Sequence, residues 1–248
     1  MTRHELRHQG ETMLRTLFGS TVQPAGLANL LTEAAYGGIW TRPELSLHDR
    51  LICSIAALGV GPRLKALRRH IGAGLDHGLT PEAIREILVQ ASLYSGFSAA
   101  EESLALAGEV FAERGIQFPA DPPEDASLEE LDRRGATLMA DLHGSRAGQG
   151  YAAPGNPVTG QLYPAAIRYG YGEIWSRPGL EIRERALVAV AAFTALRLPE
   201  QAAKFGQSAL NVGLTKAQVI EAIIQTAPLT GFPPALNALG AISAAFGS

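Results

Sequence analysis

Arg50, His70, Glu86 and Tyr94 are side chains able to move protons or steady a developing charge, and all four fall in the first half of the chain. In "TPEAIREILVQASLY", Glu86, Gln90 and Tyr94 stand at i, i+4 and i+8, so a helix there carries them as one polar stripe on an otherwise apolar surface. Such a stripe can line a pocket, or face a partner helix through hydrogen bonds. Glu86 has a counterpart, Glu221 in "VIEAIIQT", set among apolar residues where an isolated charge is strongly disfavoured; Arg50 and Arg185 are the matched partners for the two carboxylates. An internal brace and a reacting pair both fit that pattern. His70 and His77 lie seven apart, close to two helical turns, and so share a face. The i, i+4 spacing that lets two histidines chelate one metal is absent between these two, and no metal is expected. Taken by itself, a lone histidine on a helix is more often structural.

These residues sit inside a duplication. "YGGIWTRPEL" at 36–45 returns as "YGEIWSRPGL" at 171–180, and a shift of 135 residues aligns 36–100 with 171–235 without a gap. Arg50 falls on Arg185, Glu86 on Glu221 and Gln90 on Gln225, whereas His70 falls on Phe205, Tyr94 on Leu229 and His48 on Arg183. The entry segments "GETMLRTLFG" and "GATLMADLHG" correspond at a different offset, so the second half has about ten extra residues around "GQGYAAPGNP". The proline-rich "QFPADPPEDAS" cannot be helix interior and suits an exposed connector. Two domains are expected, 1–118 and 126–248, with a linker at 119–125. Trp40 with Arg42, and Trp175 with Arg177, recur in both halves although the histidine does not; a motif kept regardless reads first as scaffold, an anchor and a proline-directed entry into the next helix.

Each half reads as helices. "LHDRLICSIAALGV" and "RERALVAVAAFTAL" are apolar almost all round, as a helix buried between others must be. Leu64, Leu67, Ile71 and Leu75 follow at helical spacing, with Gly78 as a stop; Thr80 and Pro81 mark an N-cap and first helical position. Capping boxes are expected at "TKAQ" from Thr215 and "SLEE" from Ser127, and the last helix of the first half is expected to end at Gly115. The fold class is all-α.

With 46% hydrophobic and 18% charged residues, the chain has the make-up of a soluble globular protein. A formal charge of −3 and no long run of like charges give phosphates nothing to gather on, so nucleic acid is not expected as a partner. The polar N-terminus and the shortness of the apolar runs argue against a secretory leader or a membrane span, and a cytoplasmic protein is expected. The single cysteine, Cys53, lies in an apolar run and excludes chemistry by paired thiols within the chain.

The order W-x-R-P-x-L, an arginine after it, an apolar "IAAL" helix, a helix with histidine, then "GLTPEAIREILVQASLYSGF" resembles the carboxymuconolactone decarboxylase family, whose fold is shared with alkylhydroperoxidase D-like proteins. The resemblance implies helical subunits assembled as trimers or hexamers, with the active site between neighbouring repeats; three fused chains would then build a pseudo-hexamer. Peroxidase members carry a C-x-x-C pair, absent here, so peroxide reduction is not expected. The family histidine aligns with His70, which gives that residue a functional reading. The family's "Y-x-G-x-P" is incomplete in both halves, as "YSGFS" and "LTGFP". The family's type reaction needs no cofactor, because the electrons of the departing carboxylate flow through a C=C bond onto a lactone carbonyl. It needs donors for the oxyanion, for which Arg50 or Tyr94 would serve, and a proton for carbon, for which His70 is suited near neutral pH. The expected site is therefore catalytic His70, Glu86 and Arg50, lined by Tyr94, Trp40, Gln90 and His77, acting without cofactor on a small cyclic lactone, acid or ketone. The alternative is a non-catalytic binding or assembly scaffold, with a homo-oligomer expected in either case.

Overall fold

The computed structural model describes residues 1–121, 125–149, 153 and 155–247. Part of the linker and part of "GQGYAAPGNP" lie outside them. Among the described residues there is no strand, and the principal helices fall six to each repeat. In the first these are α1 (Arg3–Phe18), the π-helical α2 (Leu31–Ile39), α3 (Leu47–Gly59), α4 (Leu64–Asp76), α5 (Pro81–Ser95) and α6 (Phe97–Glu113). The second repeats the order with α7 (Leu128–His143), the π-helical α8 (Ala166–Glu173), α9 (Ile182–Ala195), α10 (Pro199–Asn211), α11 (Lys216–Thr230) and α12 (Phe232–Phe246).

Local chemistry sets these boundaries as the sequence implies. The Thr80 hydroxyl accepts from the Ala83 N–H with Pro81 at the first helical position, and Thr215 forms a full capping box with Gln218. Ser127 caps α7 alone, because the Glu130 carboxylate that would complete its box is held by Arg133 and Arg134. Helix α4 stops at Asp76, so His77 lies past its end and does not continue the face that holds His70. α6 ends at Glu113, with Gly115 just beyond it at φ 69°.

The start of the repeated phrase supplies the last residues of α2 and α8, and the glycines within it explain how it docks. A Cβ on Gly37 would come within 2.1 Å of the Leu6 carbonyl oxygen, and one on Gly172 equally close to that of Leu131. Both π-helices can therefore press backbone to backbone against the first helix of their repeat, which fixes Tyr36 and Trp40, and Tyr171 and Trp175, relative to the bundle.

The two repeats do not keep separate cores. Helices α3 and α9 pack side by side at the centre, α5 packs on α9, and α11 packs on α3. Leu51, Ile52 and Ile55 consequently share one apolar cluster with Leu187, Val188 and Val190. The expected division at 119–125 is a break in the chain order of the repeats; burial of α3 and α9 needs both halves.

Candidate active site

The central crossing decides where the buried charges go. Arg50 on α3, 1% exposed, donates to Glu221 Oε2 on α11 at 3.0 Å and to Gln225 Oε1 at 2.8 Å, while Arg42 donates to Glu221 Oε1 at 2.7 Å. Arg185 on α9 repeats this with Glu86 Oε2 on α5 at 3.1 Å and Gln90 Oε1 at 3.3 Å, and Arg177 donates to Glu86 Oε1 at 3.1 Å. Each guanidinium also reaches the backbone carbonyl of the W-x-R arginine of its own repeat at 2.7 Å. Glu86 collects a third arginine, Arg85, at 3.0 Å. Arg85 apart, the pairing is crosswise: Arg42 and Arg50 of the first repeat meet Glu221 of the second, and Arg177 and Arg185 of the second meet Glu86 of the first. Each guanidinium keeps a buried Nε–H with no acceptor among the described residues.

Arg50 and Glu86 thus belong to two different networks. Tyr94 and Gln90 go with the second: Gln90 Nε2 donates to the Arg185 carbonyl oxygen at 2.8 Å and to Tyr94 Oη at 3.2 Å, and Trp175 Nε1 donates to the same hydroxyl at 3.2 Å. Phe193 lies 4.4 Å from the Tyr94 ring. Tyr94 is partly buried, and desolvation pushes its hydroxyl well above the ordinary phenol range, so it is a neutral donor. His77 bonds the Thr16 carbonyl at 2.9 Å, outside both networks. Of the expected lining, Trp40 alone stands beside His70.

His70 is 3% exposed. Its ring meets Phe18 edge-on at 5.5 Å and Trp40 at 6.0 Å, and Trp40 stacks on Tyr36 at 6.0 Å. Nδ1 donates to the Ala66 carbonyl oxygen one turn back at 2.8 Å, leaving the Nε2 lone pair buried and without a partner among the described residues. Burial lowers its pKa to about 4, with the nearby Arg69 charge adding to the shift. The ring is neutral at pH 7, so the expected titration near neutrality is replaced by one well on the acid side.

The second repeat rebuilds this aromatic cage with histidine and phenylalanine exchanged. Phe205 takes the place of His70, and His143, at the end of α7, takes that of Phe18. The rings of His143 and Phe205 meet edge-on at 5.1 Å, Phe205 lies 6.0 Å from Trp175, and Trp175 stacks on Tyr171 at 6.0 Å. His143 is absent from the sequence-based site, although matching "GETMLRTLFG" to "GATLMADLHG" places it opposite Phe18; an aromatic facing a histidine carries no chemical signal until the cage is seen. Its pKa is also lowered to about 4, first by burial and then by Arg146. Among the described residues, no three His, Cys, Asp or Glu side chains are grouped to hold a metal.

An all-helical tandem repeat with crosswise arginine–carboxylate pairs and an aromatic cage in each half is the class this architecture defines. The carboxymuconolactone decarboxylase family model matches residues 25–109 and again 160–244, one copy per repeat, and the chain belongs to that family. It is similar to the 4-carboxymuconolactone decarboxylase of Acinetobacter baylyi, 35% identical over 88 residues, which is 36% of this chain and 66% of that protein. It is also similar to the nitrosuccinic acid decarboxylase of Metarhizium robertsii, 25% identical over 119 residues, 46% of this chain and 83% of that one. A solved chain provisionally named a gamma-carboxymuconolactone decarboxylase subunit, from Burkholderia xenovorans, superposes with a TM-score of 0.58 over 97% of both chains at 20% identity. That likeness establishes the fold.

Proposed function

We propose that this protein is a cofactor-free decarboxylase or isomerase of a small cyclic lactone, acid or ketone, with His70 as its proton-carrying group. The observation that carries the reading is the His70 Nε2 lone pair, buried in the Trp40 and Phe18 cage and unpaired. A buried acceptor without a partner costs about 1 to 3 kcal/mol, which a purely structural histidine would avoid. The two relatives named as decarboxylases support the reaction class.

In the free protein His70 is neutral. A substrate carboxylate brought beside it stabilises the imidazolium, so binding takes up one proton at Nε2. As the C–C bond to the carboxylate breaks, CO2 leaves and the electron pair spreads through the adjacent C=C bond onto the carbonyl oxygen; Nε2–H then returns its proton to carbon. For an isomerisation, the neutral Nε2 instead removes a proton from one carbon and delivers it to another. Arg50 and Glu86 act as positioning residues in this scheme, since their charges already bind Glu221 and Arg185. Arg50 Nε–H, which has no acceptor among the described residues, is the donor this scheme offers to an oxyanion.

With 4-carboxymuconolactone as probe and CO2 release as readout, His70→Gln should lower turnover by roughly 10² to 10⁴ while leaving the helical content intact. Phe205→Ala, by contrast, should act on stability, at a cost of about 3 to 5 kcal/mol. Wild-type turnover in His70→Gln would remove the histidine from the reaction. The second reading, a non-catalytic scaffold of this fold, is favoured by the filled surroundings of His70, and gains if no lactone or keto acid is turned over by either form.

A further inference from the structure

Beside each aromatic cage a cleft opens between the end of the repeat's first helix, its fourth helix and its last. In the first repeat the cleft, of about 510 Å³, is crowded with arginines, but they are matched by acids: Arg68 pairs with Glu109 and Glu113, Arg114 with Asp76, and Arg15 with Glu11, while Arg69 lies over the Phe18 ring. Its counterpart in the second repeat has about 420 Å³ and is lined by His143, Arg146, Gln207, Asn211, Lys216 and Phe246, among others. There the duplication has stripped the acids out, with Asn211 where Asp76 stands and Ala244 where Glu109 stands. The first cleft's Arg15 and Arg68 are also replaced, by Ala140 and Ala203, and two cations from other positions line this one, Arg146 and Lys216. Neither bonds a carboxylate among the described residues; Arg146 reaches the Lys204 carbonyl and the Ser208 hydroxyl, and Lys216 the Phe246 carbonyl.

The neutral groups of this cleft are turned in a consistent sense. Asn211 donates one of its two amide N–H groups to the Leu142 carbonyl at 3.0 Å, and Gln207 one of its own to the Ala245 carbonyl at 2.7 Å; neither side-chain oxygen has a donor among the described residues, so both are open acceptors. Behind them runs a closed chain of hydrogen bonds. Ser208, 0% exposed, donates to the Lys204 carbonyl and therefore accepts from Arg146 at 2.8 Å and from His143 Nδ1 at 2.7 Å; His143 Nε2 is left to accept from the Tyr171 hydroxyl at 2.9 Å. Arg146 is thereby fixed in place before any ligand arrives.

We propose that this cleft is a second small-molecule site, specific for a hydroxy-carboxylate: the carboxylate meets Arg146 and Lys216, and the hydroxyl donates to Asn211 or Gln207. Unmatched cations recognise the anion, and uncommitted amide oxygens recognise the hydroxyl. The site is separate from His70 and stands whether or not the first repeat is catalytic.

The test is to titrate malate into the intact protein while following the histidine ring signals by NMR, with the His143 resonances assigned through His143→Gln. A saturable shift confined to His143 is expected, because the anion bonds Arg146, whose guanidinium shares the Ser208 hydroxyl with the His143 ring. The double variant Arg146→Met with Lys216→Met should lose the shift, whereas Arg69→Met in the other cleft should keep it. Succinate, which lacks the hydroxyl, should bind at least a few-fold more weakly, and inorganic phosphate more weakly still. Absence of a saturable shift, or its survival in a folded double variant, would overturn the site. Equal binding of succinate or phosphate would overturn the hydroxy-carboxylate assignment.

Discussion

At pH 7 the His70 ring is neutral because the aromatic cage removes water from it, and that has a consequence for stability as well as for chemistry. The unfolded chain protonates this histidine below pH about 6.5, whereas the folded chain resists until about 4. Across that window the unfolded state binds more protons, so the contribution of His70 to stability is full above pH 6.5, falls as the pH drops, and changes no further below 4. The full difference is about 3 kcal/mol. His70→Gln should therefore lose less stability than the wild type between pH 7 and pH 4.5, measured as the shift in urea midpoint. An identical loss in both would mean that the ring is already solvated. His143 has the same sign and leaves a smaller residual slope in the variant.

The helices meet through charges that neither repeat can satisfy alone. Glu221 on α11 is 1% exposed, and among the described residues the cations that compensate it are Arg50 and Arg42 of the other repeat. Replacing it with alanine leaves the Arg50 guanidinium buried without its carboxylate, a loss of about 3 to 5 kcal/mol. Arg50→Met combined with Glu221→Leu should recover much of that, because two buried apolar side chains carry no desolvation cost. Urea unfolding of the single and double variants measures the difference; a single variant that unfolds like the wild type would show that water reaches the pair.

Whole-molecule behaviour turns on apolar side chains left at the surface in matching positions. Leu27 and Leu162, and Phe97 and Phe232, are exposed and equivalent across the duplication, and no helix among the described residues is long and apolar enough to cross a membrane. Such patches favour burial against further copies. The expected assembly is a homo-trimer with a pseudo-hexameric arrangement of repeats, or at the least a homo-dimer. Light scattering at micromolar protein should give a multiple of the chain mass, and a particle of single-chain mass would contradict it.

The residue pattern by itself determined an all-α duplication, the caps at Thr80 and Thr215, and the burial of α3 and α9, because these depend on local propensity and on periodicities short enough to see in one segment. It also marked Glu86 and Glu221 as carboxylates needing partners, with Arg50 and Arg185 as the candidates, since a buried charge announces its need wherever it lies. Which partner each would take is a matter of how the two repeats cross, and only the tertiary structure decided that Arg50 and Glu86 belong to separate networks. The same holds for His70, whose sequence position says nothing of the water-free cage that lowers its pKa. His143 is the clearest case: residues 143, 171, 175 and 205 are brought together by packing alone, and a ring facing a ring is invisible until the chain has folded.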